Sequence, residues 1–201
     1  MFRQYFIALV LVALVAIAGL GVGMMLRPSV PPAAPPVAAA SVKHFSLIDH
    51  ASRPVDDATY RGRWLLVFFG FTRCPDVCPT SMIYASDLLK SLGPLAGTLN
   101  VAFVTVDPER DTPEILKEYL ANFDPRIMGL TGSAEQIAAV TKTFGVYYAK
   151  RKIERQDEYA MDHSTAFYLV GPEGGFRRAY NLQRGADQMT ADIRAAISPK
   201  D

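Results

Sequence analysis

A chain of 201 residues, half of them hydrophobic and with a formal net charge of +1, has room for one domain with a substantial core and shows no electrostatic sign of a nucleic-acid partner. Its two cysteines exclude a disulfide-rich scaffold and a four-cysteine zinc site, but leave open a redox pair or a two-thiolate metal site. Charge is unevenly placed: residues 1–42 carry no Asp or Glu and only Arg3 and Arg27, whereas the remainder holds 19 basic against 20 acidic residues.

Residues 1–4 are expected to be a short cytoplasmic N-terminus. Residues 5–26 then run 22 positions without a charge. As a helix rising ~1.5 Å per residue this stretch reaches roughly 33 Å, enough to cross a bilayer core. The competing reading is a cleaved signal peptide ending near Ala16-Ile17-Ala18. The apolar run continues through Val22, Met24, Met25 and Leu26, which favours an uncleaved transmembrane anchor. Either way the remainder is expected outside the cytosol. Residues 27–42, with Pro28, Pro31, Pro32, Pro35 and Pro36, read as a linker. In polyproline II form it would be a spacer of roughly 45 Å.

Residues 43–201 alternate strands and helices. Val42–Ile48 is a loose entry strand, and the continuous apolar run Trp64–Phe69 suits a strand buried on both faces. A loop with both cysteines follows, then a helix to about Leu92. Val101–Val106 is a second β-branched run. A helix capped by Asp111 or Thr112 begins at Pro113, a favoured first helical position for proline, and reaches about Phe123. Ile127–Leu130 is a short strand, and Ser133 with Gln136 forms a capping box for a helix closing at Gly145. Val146–Ile153 reads as a strand and Arg155–Glu158 as a polar loop. Thr165–Val170 and Phe176–Tyr180 form a hairpin, and Asp187–Ile197 is the closing helix. Alternation followed by a hairpin and a helix is the α/β pattern of a thioredoxin-like fold.

Chemistry concentrates in Cys74-Pro75-Asp76-Val77-Cys78-Pro79, directly after the most buried strand. Cysteines at i and i+4 where a helix begins would share a face. The helix N-terminus and Arg73 would favour the thiolate, the form that attacks disulfides and binds metal. Zn²⁺ in a structural site wants four ligands, whereas Cu(I) is satisfied by soft sulfurs plus an imidazole. His44 and His50 read as surface or hairpin residues. His163 precedes the hairpin, where thioredoxin-like proteins place a cis-proline beside the active cysteines and this chain reads Met161-Asp162-His163-Ser164. Met82 reads as core, and Asp107–Asp111 as a turn and helix cap with partner docking as the weaker alternative. Asp162 is either a surface carboxylate or a partner that orients the His163 ring.

The stretches Phe69-Gly70-Phe71-Thr72-Arg73-Cys74-Pro75-Asp76-Val77-Cys78-Pro79 and Val106-Asp107-Pro108-Glu109-Arg110-Asp111-Thr112-Pro113, with Gly129-Leu130-Thr131-Gly132, Tyr147-Tyr148, Asp162-His163-Ser164 and Tyr168-Leu169-Val170-Gly171-Pro172, resemble the Sco/SenC family. These are copper-handling relatives of thioredoxin that assist cytochrome c oxidase assembly. The resemblance implies one copper ion, Cu(I) or Cu(II), held by Cys74, Cys78 and His163. It also implies a single-pass protein of the bacterial inner membrane with its globular domain in the periplasm. The implied partners are cytochrome c oxidase subunit II and another periplasmic copper carrier or a thioredoxin-like reductant. The alternative is a dedicated thiol–disulfide oxidoreductase in which Cys74 and Cys78 are the redox pair and reduce the oxidase's copper-ligand cysteines. A thiol peroxidase is disfavoured, because Thr72-Arg73-Cys74 lacks the Thr-x-x-Cys spacing of those enzymes.

Overall fold

The computed structural model describes residues 45–153, 159–182 and 185–198. The expected anchor, the linker, His44 and the loop Arg155–Glu158 lie outside the described residues. Among the described residues no helix is long and apolar enough to cross a membrane.

In chain order the elements are β1 (Ser46–Asp49), β2 (Pro54–Asp56), β3 (Trp64–Gly70), α1 (Val77–Leu92), β4 (Leu99–Thr105), α2 (Pro113–Leu120), β5 (Ile127–Thr131), α3 (Ala134–Phe144), β6 (Tyr148–Lys152), β7 (Tyr159–His163), β8 (Ala166–Val170), β9 (Phe176–Asn181) and α4 (Ala186–Ile197). Seven strands form one sheet in the order β2-β1-β5-β4-β3-β8-β9. β3, β4 and β5 are parallel, with Phe68 beside Phe103 and Val101 beside Ile127. β8 returns antiparallel to β3, placing Phe167 beside Phe68. Parallel strands joined through helices, then an antiparallel hairpin and a closing helix, make the thioredoxin-like arrangement expected from the sequence.

The reason lies in the side chains. Trp-Leu-Leu-Val-Phe-Phe-Gly is buried at every position after Trp64, so β3 has apolar material on both faces and takes an interior place in the sheet, between β4 and β8. α1 buries Met82, Ala85, Leu88, Leu89 and Leu92, a stripe at helical spacing. Met82 is therefore core. α3 opens on the capping box of Ser133 and Gln136 and ends at Gly145, whose φ of 65° is the left-handed conformation that suits glycine.

Two features differ from expectation. Tyr159–His163 is a strand, and it pairs with Tyr148–Lys152 as a separate two-stranded ribbon rather than joining the main sheet. Its sequence, Tyr-Ala-Met-Asp-His, carries only a weak alternation, and strand pairing rather than propensity makes it extended. The Pro54–Asp56 strand, three residues long and paired with β1, is too short to leave a periodic signal.

Candidate metal centre

The parallel strands deliver the site at their C-terminal ends. β3 ends in Gly70, and a Cβ there would fall 2.8 Å from Cys78 Sγ and 2.9 Å from the Phe103 ring. The bare glycine is what lets the sulfur sit against the strand end. Cys78 lies in the first turn of α1 and is fully buried. Cys74 lies in the loop before the helix, half-buried. The expectation of two cysteines on one helix face is thus corrected. Pro75 and Asp76 hold the chain out of the helix until Val77, and Cys74 is brought back by a turn, its N–H donating to the Phe71 carbonyl at 3.2 Å. The Cys78 N–H then donates to Cys74 Sγ at 3.4 Å.

His163 ends β7. Its Nε2 stands 3.6 Å from Cys78 Sγ. Its Nδ1 is 2.9 Å from the Ser164 carbonyl, which can only accept, so Nδ1 carries a hydrogen and Nε2 is the nitrogen that faces the sulfurs. The rings of Phe68 and Phe71 meet the imidazole edge-on at 90°, fixing its plane. Asp162 does not orient the ring: it is exposed and accepts from Arg151 Nε at 3.1 Å. His50 is occupied elsewhere, its Nδ1 accepting from the Gly129 N–H at 2.9 Å.

The ligand atoms of Cys74, Cys78 and His163 all lie within 4.8 Å of one another. Two soft sulfurs and one imidazole nitrogen suit a soft, low-coordinate ion, and among the described residues the cluster has no fourth donor of the kind a structural zinc site takes. Both thiols are free. The Cys78 thiol donates toward Cys74 and is the first cause of a strongly lowered Cys74 pKa; the His163 ring and the amides of Asp76 and Cys78 add to it, against burial. Cys78 is pushed up by the same hydrogen bond and by burial. The pair thus gives up one proton readily, from the more exposed sulfur, and holds the second. Arg73, singled out from the sequence as a source of this effect, is exposed at the rim of the site. A cleft of about 560 Å³ opens onto Cys74 and His163, with Arg73, Arg110 and Arg151 around it.

Asp111 was expected to cap α2 or leave that to Thr112; Thr112 is the cap, its side chain accepting from the Ile115 N–H. Asp111 is fully buried instead and reaches back to the cysteine loop, accepting from Thr72 N at 3.0 Å and Thr72 Oγ1 at 2.6 Å. The signal available in sequence was an acidic residue next to a buried strand end with two threonines nearby, which local pattern reading assigns to a cap.

A thioredoxin-like domain with two sulfurs and an imidazole gathered at the end of its parallel strands defines a class of metal- and thiol-handling protein. Residues 33–198 match SCO1/SenC. The chain is 43% identical over 159 residues to the mitochondrial SCO2 homolog of Bos taurus, covering 78% of this chain and 60% of that one. The structure of Bradyrhizobium japonicum ScoI with copper bound superposes with a TM-score of 0.71 at 40% identity, covering 76% of this chain and 97% of that chain. BsSco, described as a member of the Sco family of cytochrome c oxidase assembly proteins with a disulfide switch, has a TM-score of 0.63 at 28% identity, covering 81% of this chain and 96% of that chain. The chain belongs to the SCO1/SenC family. It spans 60–64% of the length of the SCO2 homologs of cattle, mouse and human.

Proposed function

We propose that this chain is a copper carrier, held to the bacterial inner membrane by residues 5–26 with residues 43–201 in the periplasm, that supplies the binuclear copper site of cytochrome c oxidase subunit II. The observation that carries the reading is the donor set: two sulfurs and one imidazole nitrogen within 4.8 Å of one another, in number and softness a Cu(I) site. The copper-bound ScoI structure and the oxidase-assembly description of BsSco support it by analogy. One copper ion per chain is the cargo. Cu(II) would call for a further oxygen or water ligand.

Handover is ligand exchange. Cys74 is the sulfur an acceptor can approach from the cleft, while Cys78 is buried and His163 is braced by Phe68 and Phe71. Each bond to a leaving sulfur is replaced by one from the acceptor's thiolate, and the oxidation state does not change. The test is to mix the Cu(I)-loaded full chain with the soluble copper domain of subunit II, separate the two, and measure copper in each. Copper should move to the acceptor when its cysteines are reduced. Copper that stays with the carrier against excess reduced acceptor would contradict the proposal.

A second reading, a dedicated dithiol reductant, is favoured by the ready ionisation of Cys74 and by the disulfide switch described for BsSco. Cys74 would attack the partner disulfide, and Cys78 would resolve the mixed disulfide, so that two electrons pass and the partner leaves as a dithiol. His163→Ala separates the readings: a reductant keeps its activity, and a carrier loses its cargo.

A further inference from the structure

The turn Asp107–Asp111 follows β4 and hydrogen-bonds to none of the proposed ligands, yet it holds both segments that carry them. On one side is the cysteine loop. Asp111 accepts from the N–H and Oγ1 of Thr72, two residues before Cys74, and from Thr105 Oγ1 at 2.6 Å. On the other side is the histidine strand. Asp107, 1% exposed, accepts from the Tyr159 hydroxyl at 2.7 Å and from Arg110 Nε. Arg110 donates to the Tyr159 carbonyl at 2.9 Å, and its guanidinium lies 3.7 Å above the Tyr159 ring. Thr105 joins the two halves, since its Oγ1 also accepts from the Asp107 N–H at 2.9 Å.

This matters because β7 is outside the main sheet. The cysteines are placed by β3 and α1, whereas His163 is paired only with Tyr148 of the β6–β7 ribbon, and the main-sheet ladder begins at Ala166 and Phe167. Tyr159 and His163 are the two ends of β7 and, four residues apart, lie on one face of it. Fixing Tyr159 therefore sets the register and tilt of the strand that carries the imidazole. Two buried carboxylates are costly to keep unless fully hydrogen-bonded, and here the hydrogen bonds they accept run within the turn, to β4, or to a ligand-bearing segment.

We propose that the turn Asp107–Asp111 is a positioning bracket that sets the distance between the two sulfurs and the His163 imidazole, with Asp111 holding the cysteine arm and Asp107 with Arg110 holding the histidine arm through Tyr159. The inference deepens the copper-site reading and rests on it for its affinity prediction alone. Tyr159→Phe removes one hydroxyl and keeps the ring. Residues that orient metal ligands are worth about 10–100-fold in affinity, so Cu(I) affinity measured by competition with a chromophoric chelator should fall about tenfold or more. In the metal-free full chain, the ¹⁵N and ¹H resonances of the His163 ring should shift while those of His50 stay put. Asp124→Asn is the stability control, because the Asp124 side chain pairs with Arg126 in the turn before β5 and bonds to neither the cysteine loop nor β7; only its backbone N–H reaches α1, at Ser86 Oγ, eight residues beyond Cys78. It should leave both readouts at wild-type values at comparable loss of melting temperature. The bracket is overturned if Tyr159→Phe leaves the His163 resonances unmoved, or if Asp124→Asn moves them equally. A wild-type chain that binds no Cu(I) would overturn the carrier reading, and the His163 spectrum would still decide the bracket.

Discussion

Two sulfurs of the same kind behave differently because one donates to the other. Cys78 is buried and keeps its proton; Cys74 is half-exposed and receives that proton's hydrogen bond, so its thiolate persists far below the ordinary thiol range near ~8.5. In the metal-free chain, iodoacetamide should therefore alkylate Cys74 at nearly full rate down to about pH 6, where an ordinary thiol has lost almost all its reactivity. The sign of the main cause can be checked. Cys78→Ala removes the donor, the Cys74 pKa rises, and the fall in rate should move toward ~8.5. An unchanged profile in Cys78→Ala would show that the helix amides and His163 set the ionisation instead. The cysteine pair and His163 were legible as residues. The hydrogen-bond partner of the ring was not, since the Ser164 carbonyl is backbone and leaves no trace in residue identity.

Elements were legible where a local rule and tertiary packing agree. The Ser133–Gln136 capping box, Pro113 at the first position of α2, and the unbroken apolar run of β3 all specify the structures they form. Ser133→Ala should cost ~1 kcal/mol, read as a lower denaturation midpoint at unchanged slope, because it strips the acceptor from the Gln136 N–H. The copper site should be indifferent to it. Elements were illegible where a distant partner decides. β7 becomes a strand by pairing with β6, Tyr148 against His163 and Lys152 against Tyr159, and the residues between them give no short hairpin signal. The start of α1 was misplaced for a related reason. Asp76 has the identity of a cap but its side chain makes no capping bond, and the loop is instead set by the Cys74 turn and by the hold of Asp111 on Thr72.

At the scale of the molecule, the sheet places a metal-binding cleft at the ends of its parallel strands. The proposed anchor and proline spacer would hold that cleft away from a membrane surface. If residues 5–26 span the bilayer, the full chain should remain in the membrane pellet through high-salt and alkaline extraction, and removal of residues 1–26 should release it. Extraction of the full chain by alkali alone would favour a cleaved or peripheral N-terminus. Copper should also stabilise the fold by mass action. Loading at about 100 times the dissociation constant adds ~2.7 kcal/mol, reversed by a competing Cu(I) chelator. The fold class was readable from the order of strands and helices because the α/β alternation and the final hairpin leave few arrangements. The union of Cys74 and Cys78 with a histidine 85 positions away from Cys78 was readable only through topology. The most direct measurement is copper and protein quantified together in anaerobically purified full chain, wild type beside Cys74→Ala, Cys78→Ala and His163→Ala. One Cu(I) per wild-type chain, lost in all three variants, is expected; stoichiometric copper retained by any one of them would contradict the three-ligand site.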